Sequence, residues 1–472
     1  MGKCKTRRDA QAVGQLVLPI GLLEEAASNQ ASTAEVTPSC ASTGTGSPEE
    51  ARPKKWYTLR DKMCKQSVLW GAWRSVQSNN GAPGVDQVTV DQFAQNARDR
   101  IGRLRQELRA GEYVPDPVKQ CLIPKPDGGQ RKLGIPTVRD RIVQTAVCFK
   151  LSPIFETKFS DHSHGFRPNR GCQTALQELW EALDEGYEYI VDADISKFFD
   201  TVDHEILLAA VNEEIADGKV LYLIRQFLDC GVMQATGELL PQEEGTPQGG
   251  PLSPLLANIY LHPLGMALEE NGYRFVRYAD DFVVLTRSRP EAEAALELIA
   301  QVMQTLKLTL SPTKTRLVHI DDRFDFLGFR HFRSRAGQLH RVPRNKSKKG
   351  FRQAIGAKTP RHNGQRRRKP KACTLTKLSK DQRLQRIVSK VNRYLRDWMA
   401  YFHQATSAGM ADFKELDKFV RRRIRCSITG RYAMGHWHEI LTNDLLAALG
   451  LQSLENLYKE RLAQPDPPPA RA

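Results

Sequence analysis

Asp280 and Asp281 are adjacent acids between two short apolar runs, residues 274–278 and 282–286. Runs of that length and composition predict two strands, with Ala279-Asp280-Asp281 as the turn between them. Successive side chains on a strand point to opposite faces, yet a tight turn lets both carboxylates approach one site. There their mutual repulsion is costly unless cations neutralise it. Asp194 lies near the end of a third apolar run, residues 187–195, which also holds Asp192. An acid in such a run needs solvent at the strand end or a metal partner. Three carboxylates on adjacent strand ends could hold two Mg2+ ions, with substrate phosphates and water completing each octahedral shell. Mn2+, which favours the same oxygen ligands, can substitute. Two such ions stabilise the attacking and leaving oxygens of an in-line displacement at phosphorus, the chemistry of a polymerase. Taken alone, the Asp280-Asp281 pair also reads as an exposed acidic turn.

The elements around these acids alternate between strand-like and helical patterns. Residues 203–211 and 252–261 read as helices on either side of a Pro/Gly-rich loop, and residues 291–306 have clear amphipathic spacing. Earlier in the chain, Val68, Leu69, Trp70, Trp73 and Val76 follow helical spacing until the turn signals of residues 79–84. A single helix is expected over 91–108. Near the end, Leu384, Ile387, Val391, Tyr394, Leu395, Trp398 and Phe402 mark one face of a long helix.

The 472 residues are enough for two or three domains, and no apolar run approaches the roughly 20 residues needed to span a bilayer. Nine cysteines without a C-x-x-C pair argue against a zinc site or redox dithiol and suit a reducing, cytoplasmic setting, expected to be bacterial. Lys and Arg number 70 against 54 acids, a net charge of +16 that suggests a polyanionic partner, nucleic acid first. From Phe326 to Lys380 there is no acid at all. The clusters containing Lys348 and Lys349, and Arg366, Arg367, Arg368 and Lys369, read as phosphate contacts, with a solubilising linker as the alternative.

Several motifs together resemble the group II intron-encoded reverse transcriptase/maturase family, of the type that lacks an endonuclease domain. Tyr278-Ala279-Asp280-Asp281 resembles its catalytic box, and Asp194 to Asp200 its first metal-binding motif. Gly245 to Pro254 resembles the nucleotide-pocket motif; Ile123 to Gly128 and His164 to Pro168 resemble blocks of the fingers. Gly81 to Asp86 resembles the N-terminal extension, Phe326 to Phe329 the block after the palm, and Val391 to Phe402 the maturase X domain. After the thumb there are no paired cysteines such as the endonuclease domain uses.

The resemblance implies an α+β fold: a right-hand polymerase whose fingers and palm carry an antiparallel palm sheet, followed by an α-helical thumb/X domain. Its boundaries are expected at 1–54 (disordered extension), 55–120 (RNA-binding part of the fingers), 121–335 (fingers and palm), 336–376 (basic linker), 377–460 (thumb) and 461–472 (disordered tail). It implies Asp194, Asp280 and Asp281 as metal ligands and Phe199 as the steric gate that crowds a ribose 2′-hydroxyl. Gln248 would touch the incoming nucleotide, with Pro247 and Gly249 allowing close backbone approach; Lys125 and Arg131 would clamp the triphosphate. Arg167 is implied as a template-phosphate contact. Phe199 also reads as a core aromatic, and Lys125 and Arg131 as plain surface cations. The implied partners are a group II intron RNA, a DNA target or primer, and deoxynucleoside triphosphates. The implied activity is copying that RNA into DNA and assisting its splicing and mobility. A splicing-only maturase and a domesticated reverse transcriptase in phage defence are the alternatives.

Overall fold

The computed structural model describes residues 55–124, 129–242, 244–360, 381–429 and 441–463. The expected extension at 1–54, most of the tail, and the site candidates Lys125, Arg366, Arg367, Arg368 and Lys369 lie outside these. The chain divides into two compact units between Leu317 and Val318.

The described part of the first unit begins with α1 (Leu59–Met63), α2 (Gln66–Asn79), α3 (Val90–Gln95) and α4 (Ala97–Ala110). The helix expected over 91–108 is therefore two. Thr89 and Gln92 form a capping box that starts α3, and Asn96, at φ −128°, leaves the helical region before α4 begins. Val90, Phe93, Ala97, Ile101, Leu104 and Leu108 are all buried, so one apolar face runs across the break and hides it from a pattern reading.

Next come β1 (Val118–Pro124) and β2 (Gln130–Ile135), an antiparallel pair, and the helix α5 (Val138–Glu156). Thr137 caps α5 by accepting from the Asp140 amide at 3.2 Å. The helix is buried nearly all round, as a central helix must be. The palm follows: α6 (Cys172–Asp184), β3 (Tyr189–Asp194), α7 (His204–Glu214), α8 (Gly218–Asp229), the short β4 (Val232–Met233) and β5 (Leu239–Leu240), α9 (Ser253–Tyr260), α10 (His262–Glu270), β6 (Arg274–Tyr278), β7 (Asp281–Thr286), α11 (Arg289–Thr305) and β8 (Arg316–His319). The palm sheet has strand order β6-β7-β3-β8. Apart from their aspartates its central strands are apolar because both faces are covered: Val191, Ala193, Phe282 and Val284 are buried on one face and Ile190, Val283 and Leu285 on the other, with α11 packed against β3 and β7 and with α6 and α10 against β6. The fingers sheet has order β2-β1-β4-β5.

The second unit holds an antiparallel sheet of β9 (Phe324–Phe326), β10 (Phe329–Arg333) and β11 (Leu339–Pro343), then α12 (Asn345–Lys358), α13 (Gln382–Phe402), α14 (Gly409–Thr429), α15 (Asn443–Ala448) and α16 (Leu454–Leu462). Leu327 and Gly328, at φ 43° and 84°, make the two-residue turn between β9 and β10. The basic linker expected at 336–376 is corrected over residues 336–360, its remainder lying outside the described residues: residues 339–343 are a strand and 345–358 a helix anchored by buried Phe351 and Ile355. The density of like charge obscured two apolar anchors that were enough to fold the segment. Helix α13 buries the expected face, Leu384, Ile387, Val391, Leu395, Trp398 and Phe402, with Asp381 as its N-cap. Trp398 stacks on Phe402 at 4.1 Å and the Tyr401 hydroxyl donates to the Leu327 carbonyl at 2.6 Å, so both are packing residues of this unit.

Candidate active site

Strands β3 and β7 run antiparallel in a register that sets Asp194 directly opposite Asp281. Side chains of facing residues lie on the same side of a sheet, with Cβ atoms about 4.5–5.5 Å apart, and like charges so placed repel. Asp280 stands at the tip of the β6–β7 hairpin, whose loop is only Ala279 and Asp280 because Tyr278 already pairs with Asp281. Ala279 takes φ 59° while Asp280 stays at negative φ, the pattern of a type II′ turn, in which a residue with a Cβ is strained.

The electrostatics follow from this crowding. Burial pushes the Asp280 carboxyl above its usual range, and the Asp194 charge pushes the same way, while Arg131 and Lys314 pull it down. Thus Asp194, Asp280 and the fingers residue Arg131 share one electrostatic environment. Asp194 is partly neutralised by the Lys314 ammonium at 2.9 Å, a partner that sequence reasoning missed. Lys314 is brought there by the chain after α11, where the Ser311 amide donates to the Asp194 carbonyl at 2.8 Å. Asp192, in the same strand, is held by Arg316 at 2.8 Å.

Among the described residues no three of His, Cys, Asp and Glu stand as a ready-made ion-binding cluster. Asp194, Asp280 and Asp281 are among the residues to which this applies.

Beneath the turn lies a buried polar network. Arg277, 1% exposed, donates to Asn258 Oδ1 at 3.1 Å and to the Ala279 carbonyl at 3.3 Å. Asn258 in turn donates to the Gly165 carbonyl at 2.8 Å. The backbone is stitched to the same strand, with the His164 amide donating to the Arg277 carbonyl at 2.8 Å and the Arg277 amide to the His162 carbonyl at 2.9 Å. Burial lowers the Arg277 pKa to about 9, with the Arg167 charge adding to the effect. Holding the Ala279 carbonyl fixes the central peptide of the turn, because a flip to type I′ would require Asp280 at positive φ. A Cβ on Gly165 would sit 2.4 Å from the Ala279 nitrogen, so only glycine lets the loop press on the turn.

Phe199 and Gln248 line one cavity of about 430 Å³ between the short helix at Phe198–Asp200 and strand β2. Lys132, Lys197 and Asp200 line it too, and the two lysines were not expected. The loop carrying Gln248 is tied down at both ends: the Thr246 amide donates to the Phe199 carbonyl at 2.8 Å and the Gly134 amide to the Gln248 carbonyl at 2.9 Å. The tight backbone approach is made by Gly245 at φ 83°, whose Cβ would meet the Phe199 carbonyl at 2.6 Å. Gly249, expected in that role, also has positive φ, 132°.

The expected RNA contacts divide. Arg167 is not presented to solvent: it is 8% exposed, donates to the carbonyls of Ser160 and Ser163, and pairs with Glu156 at 2.9 Å. Its motif spacing identified the loop but not which residue faces inward. Lys348 is likewise engaged by Asp412 at 2.7 Å, with its side chain 16% exposed. Lys349, next along α12, remains on the surface.

Residues 123–331 match the family model described as reverse transcriptase (RNA-dependent DNA polymerase), and residues 365–444 match that of the group II intron, maturase-specific domain. Among curated relatives, Protein YkfC of Escherichia coli (strain K12) is 34% identical over 306 residues, 56% of this chain and 80% of YkfC. The group II intron-encoded protein LtrA of Lactococcus lactis subsp. cremoris is 35% identical over 259 residues, 54% of this chain and 42% of LtrA, so the match spans less than half of that relative. A solved partial Cas6-RT-Cas1–Cas2 complex matches at 24% identity and a TM-score of 0.33, covering 53% of this chain and 42% of that one. No helix among the described residues is long and apolar enough to cross a membrane.

Proposed function

Because this chain belongs to the group II intron-encoded reverse transcriptase/maturase family, and so to the RNA-directed DNA polymerases, we propose that it copies a group II intron RNA into DNA and binds the same RNA to assist splicing and mobility. The observation that carries the reading is the register that faces Asp194 with Asp281 while Asp280 caps the adjoining turn, beside the cavity of Phe199 and Gln248. Asp194, Asp280 and Asp281 would hold two Mg2+ ions, or Mn2+ in their place. Bound there, the ions supply charge neutralisation at the primer hydroxyl and at the leaving pyrophosphate.

The chain's own residues do the rest. Arg277 and Gly165 keep the strained turn in one conformation, so the carboxylates meet the substrate already oriented. Lys314 partly neutralises Asp194 and holds its carboxylate in place. Phe199 closes the sugar side of the cavity, where an added 2′-hydroxyl would crowd the ring, while Gln248 meets the incoming nucleotide. Arg131, with Lys132 and Lys197 on the cavity wall, supplies the positive field for a triphosphate. The basic surface that includes Lys349, together with the Arg366–Lys369 cluster, is assigned to intron RNA, whose A-form helices are bound through shape and phosphates.

The test is extension of a DNA primer on an RNA template by the wild-type chain and by Asp281→Ala. Removing one ligand of a metal that contributes several kcal/mol should lower the rate by about a hundredfold or more. RNA affinity should stay within about twofold, since no phosphate contact is lost. Comparable extension by the two proteins would refute the site.

A further inference from the structure

The loop from His164 to Pro168 was expected to offer Arg167 to the template, yet the structure turns that arginine inward. The residue it turns outward is Phe166. A phenylalanine at φ 60° is a backbone outlier, since the left-handed region is costly for bulky side chains. The ring gains little from the protein in return, being 42% exposed. An arrangement costly in both backbone and solvation persists only where the surroundings over-determine it. Here they do. The preceding residue, Gly165, is wedged against the Ala279 backbone and held by Asn258, and the following one, Arg167, is fixed by Glu156, Ser160 and Ser163.

The ring's position is as informative as its strain. Its centroid lies 6.3 Å from that of Tyr278, the residue that leads into the catalytic turn, at an angle of 43°. Tyr278 faces Asp281 across the hairpin, and facing side chains share one side of a sheet, so the ring neighbours a residue on the Asp281 side. The chemistry of the patch narrows what it can bind. Arg167 is engaged within the protein as above, and Arg170, two residues past the loop, by the carboxylate and carbonyl of Asp161. The loop thus presents an aromatic face and not a phosphate cradle, which fits the base or sugar of a nucleotide.

We propose that Phe166 is a nucleic-acid contact, an aromatic shelf for the terminal base pair of the RNA–DNA duplex whose primer end is being extended. This rests on the polymerase reading above. It assigns the loop an apolar, sequence-tolerant contact that fixes the duplex end relative to the carboxylates. The strained backbone keeps the shelf rigid, so that little ordering is required when the duplex arrives.

The experiment uses the full chain, Mg2+ without nucleotide, and a labelled DNA primer on an RNA template, with dissociation constants measured at several salt concentrations. Phe166→Ala should weaken duplex binding by about tenfold, within the range for loss of one base–aromatic contact. The slope of log affinity against log salt should be unchanged, because no phosphate contact is removed. Phe166→Trp should bind like the wild type. Phe166→Gly, which removes the ring and relieves the backbone, should lose as much as Phe166→Ala. A duplex whose terminal pair is abasic on either strand should bind the wild type and Phe166→Ala alike. Equal binding of wild type and Phe166→Ala on the intact duplex, a flattened salt slope, or a tenfold gap that persists on the abasic duplexes would overturn the proposal. Failure of the wild-type chain to extend any primer would instead remove the polymerase reading itself, so the two failures are told apart.

Discussion

Gly165→Ala asks whether the catalytic turn is held in place by the loop beneath it. The added Cβ would stand 2.4 Å from the Ala279 nitrogen, 3.0 Å from the Tyr278 carbonyl carbon and 3.1 Å from the Ala279 Cα. Ordinary contact begins at 3.4 Å, so the turn or the loop must move by about 1 Å. All three atoms are backbone, and no flexible side chain can absorb the displacement. Loop and turn are tied to one network through Asn258 and Arg277, so the displacement falls at least partly on the turn. A shift of about 1 Å at reacting groups costs on the order of a hundredfold in rate, whereas overpacking costs about 1–3 kcal/mol of stability. Single-turnover primer extension should therefore fall by about a hundredfold while the protein still melts cooperatively and still binds RNA. Gly102→Ala in α4, where a Cβ meets nothing within 4 Å, is the control and should leave extension intact. Extension by Gly165→Ala within about twofold of wild type would refute the claim that this contact positions the turn.

Three further outcomes follow from the same geometry. Asp280→Asn should abolish extension yet raise the melting temperature of the metal-free protein at neutral pH. Burial raises the Asp280 pKa, so the ionised form is a cost that appears as pH rises through the folded value and is absent once the group is protonated in both states; a lower melting temperature at neutral pH would contradict this. Arg167→Ala should destabilise the fold by about 3–5 kcal/mol, because Glu156 and two carbonyls lose a largely buried partner, and should leave the salt dependence of RNA binding unchanged. Lys132→Ala and Lys197→Ala should each raise the KM for deoxynucleotides without altering primer affinity; unchanged KM values would remove both lysines from the nucleotide cavity.

The palm was the most legible part of the chain, because its strands are short apolar runs cut by acids and turns, and the acids fall where the strands end. The runs at 187–195, 274–278 and 282–286 are β3, β6 and β7, and the register sets Asp194 opposite Asp281, with Asp280 next to it in the turn. What sequence could not show is which long-range partner meets them. Lys314 lies 120 positions from Asp194 and reaches it only because the chain returns along β3 after α11. Arg277 lies inside the run at 274–278, where nothing marked it out, and its buried partners, Asn258 and the Ala279 carbonyl, are set by the fold. The pattern was also blind to direction. Arg167 and Lys348 are cations in cation-rich surroundings, but each has an acid within 3 Å and faces the protein, while Phe166 faces out. Helix breaks escaped for a similar reason: Asn96 interrupts hydrogen bonding without interrupting the apolar stripe of α3 and α4.

The most direct test of the metal assignment is a structure of the chain with an RNA template, a DNA primer lacking its 3′-hydroxyl, a deoxynucleoside triphosphate and Mn2+, read for anomalous scattering. Two peaks about 3.5–4 Å apart are expected, bridged by Asp194, Asp280 and Asp281, with the Lys314 ammonium displaced from Asp194. Peaks held by other side chains, or a bound triphosphate with no metal near these three carboxylates, would contradict it.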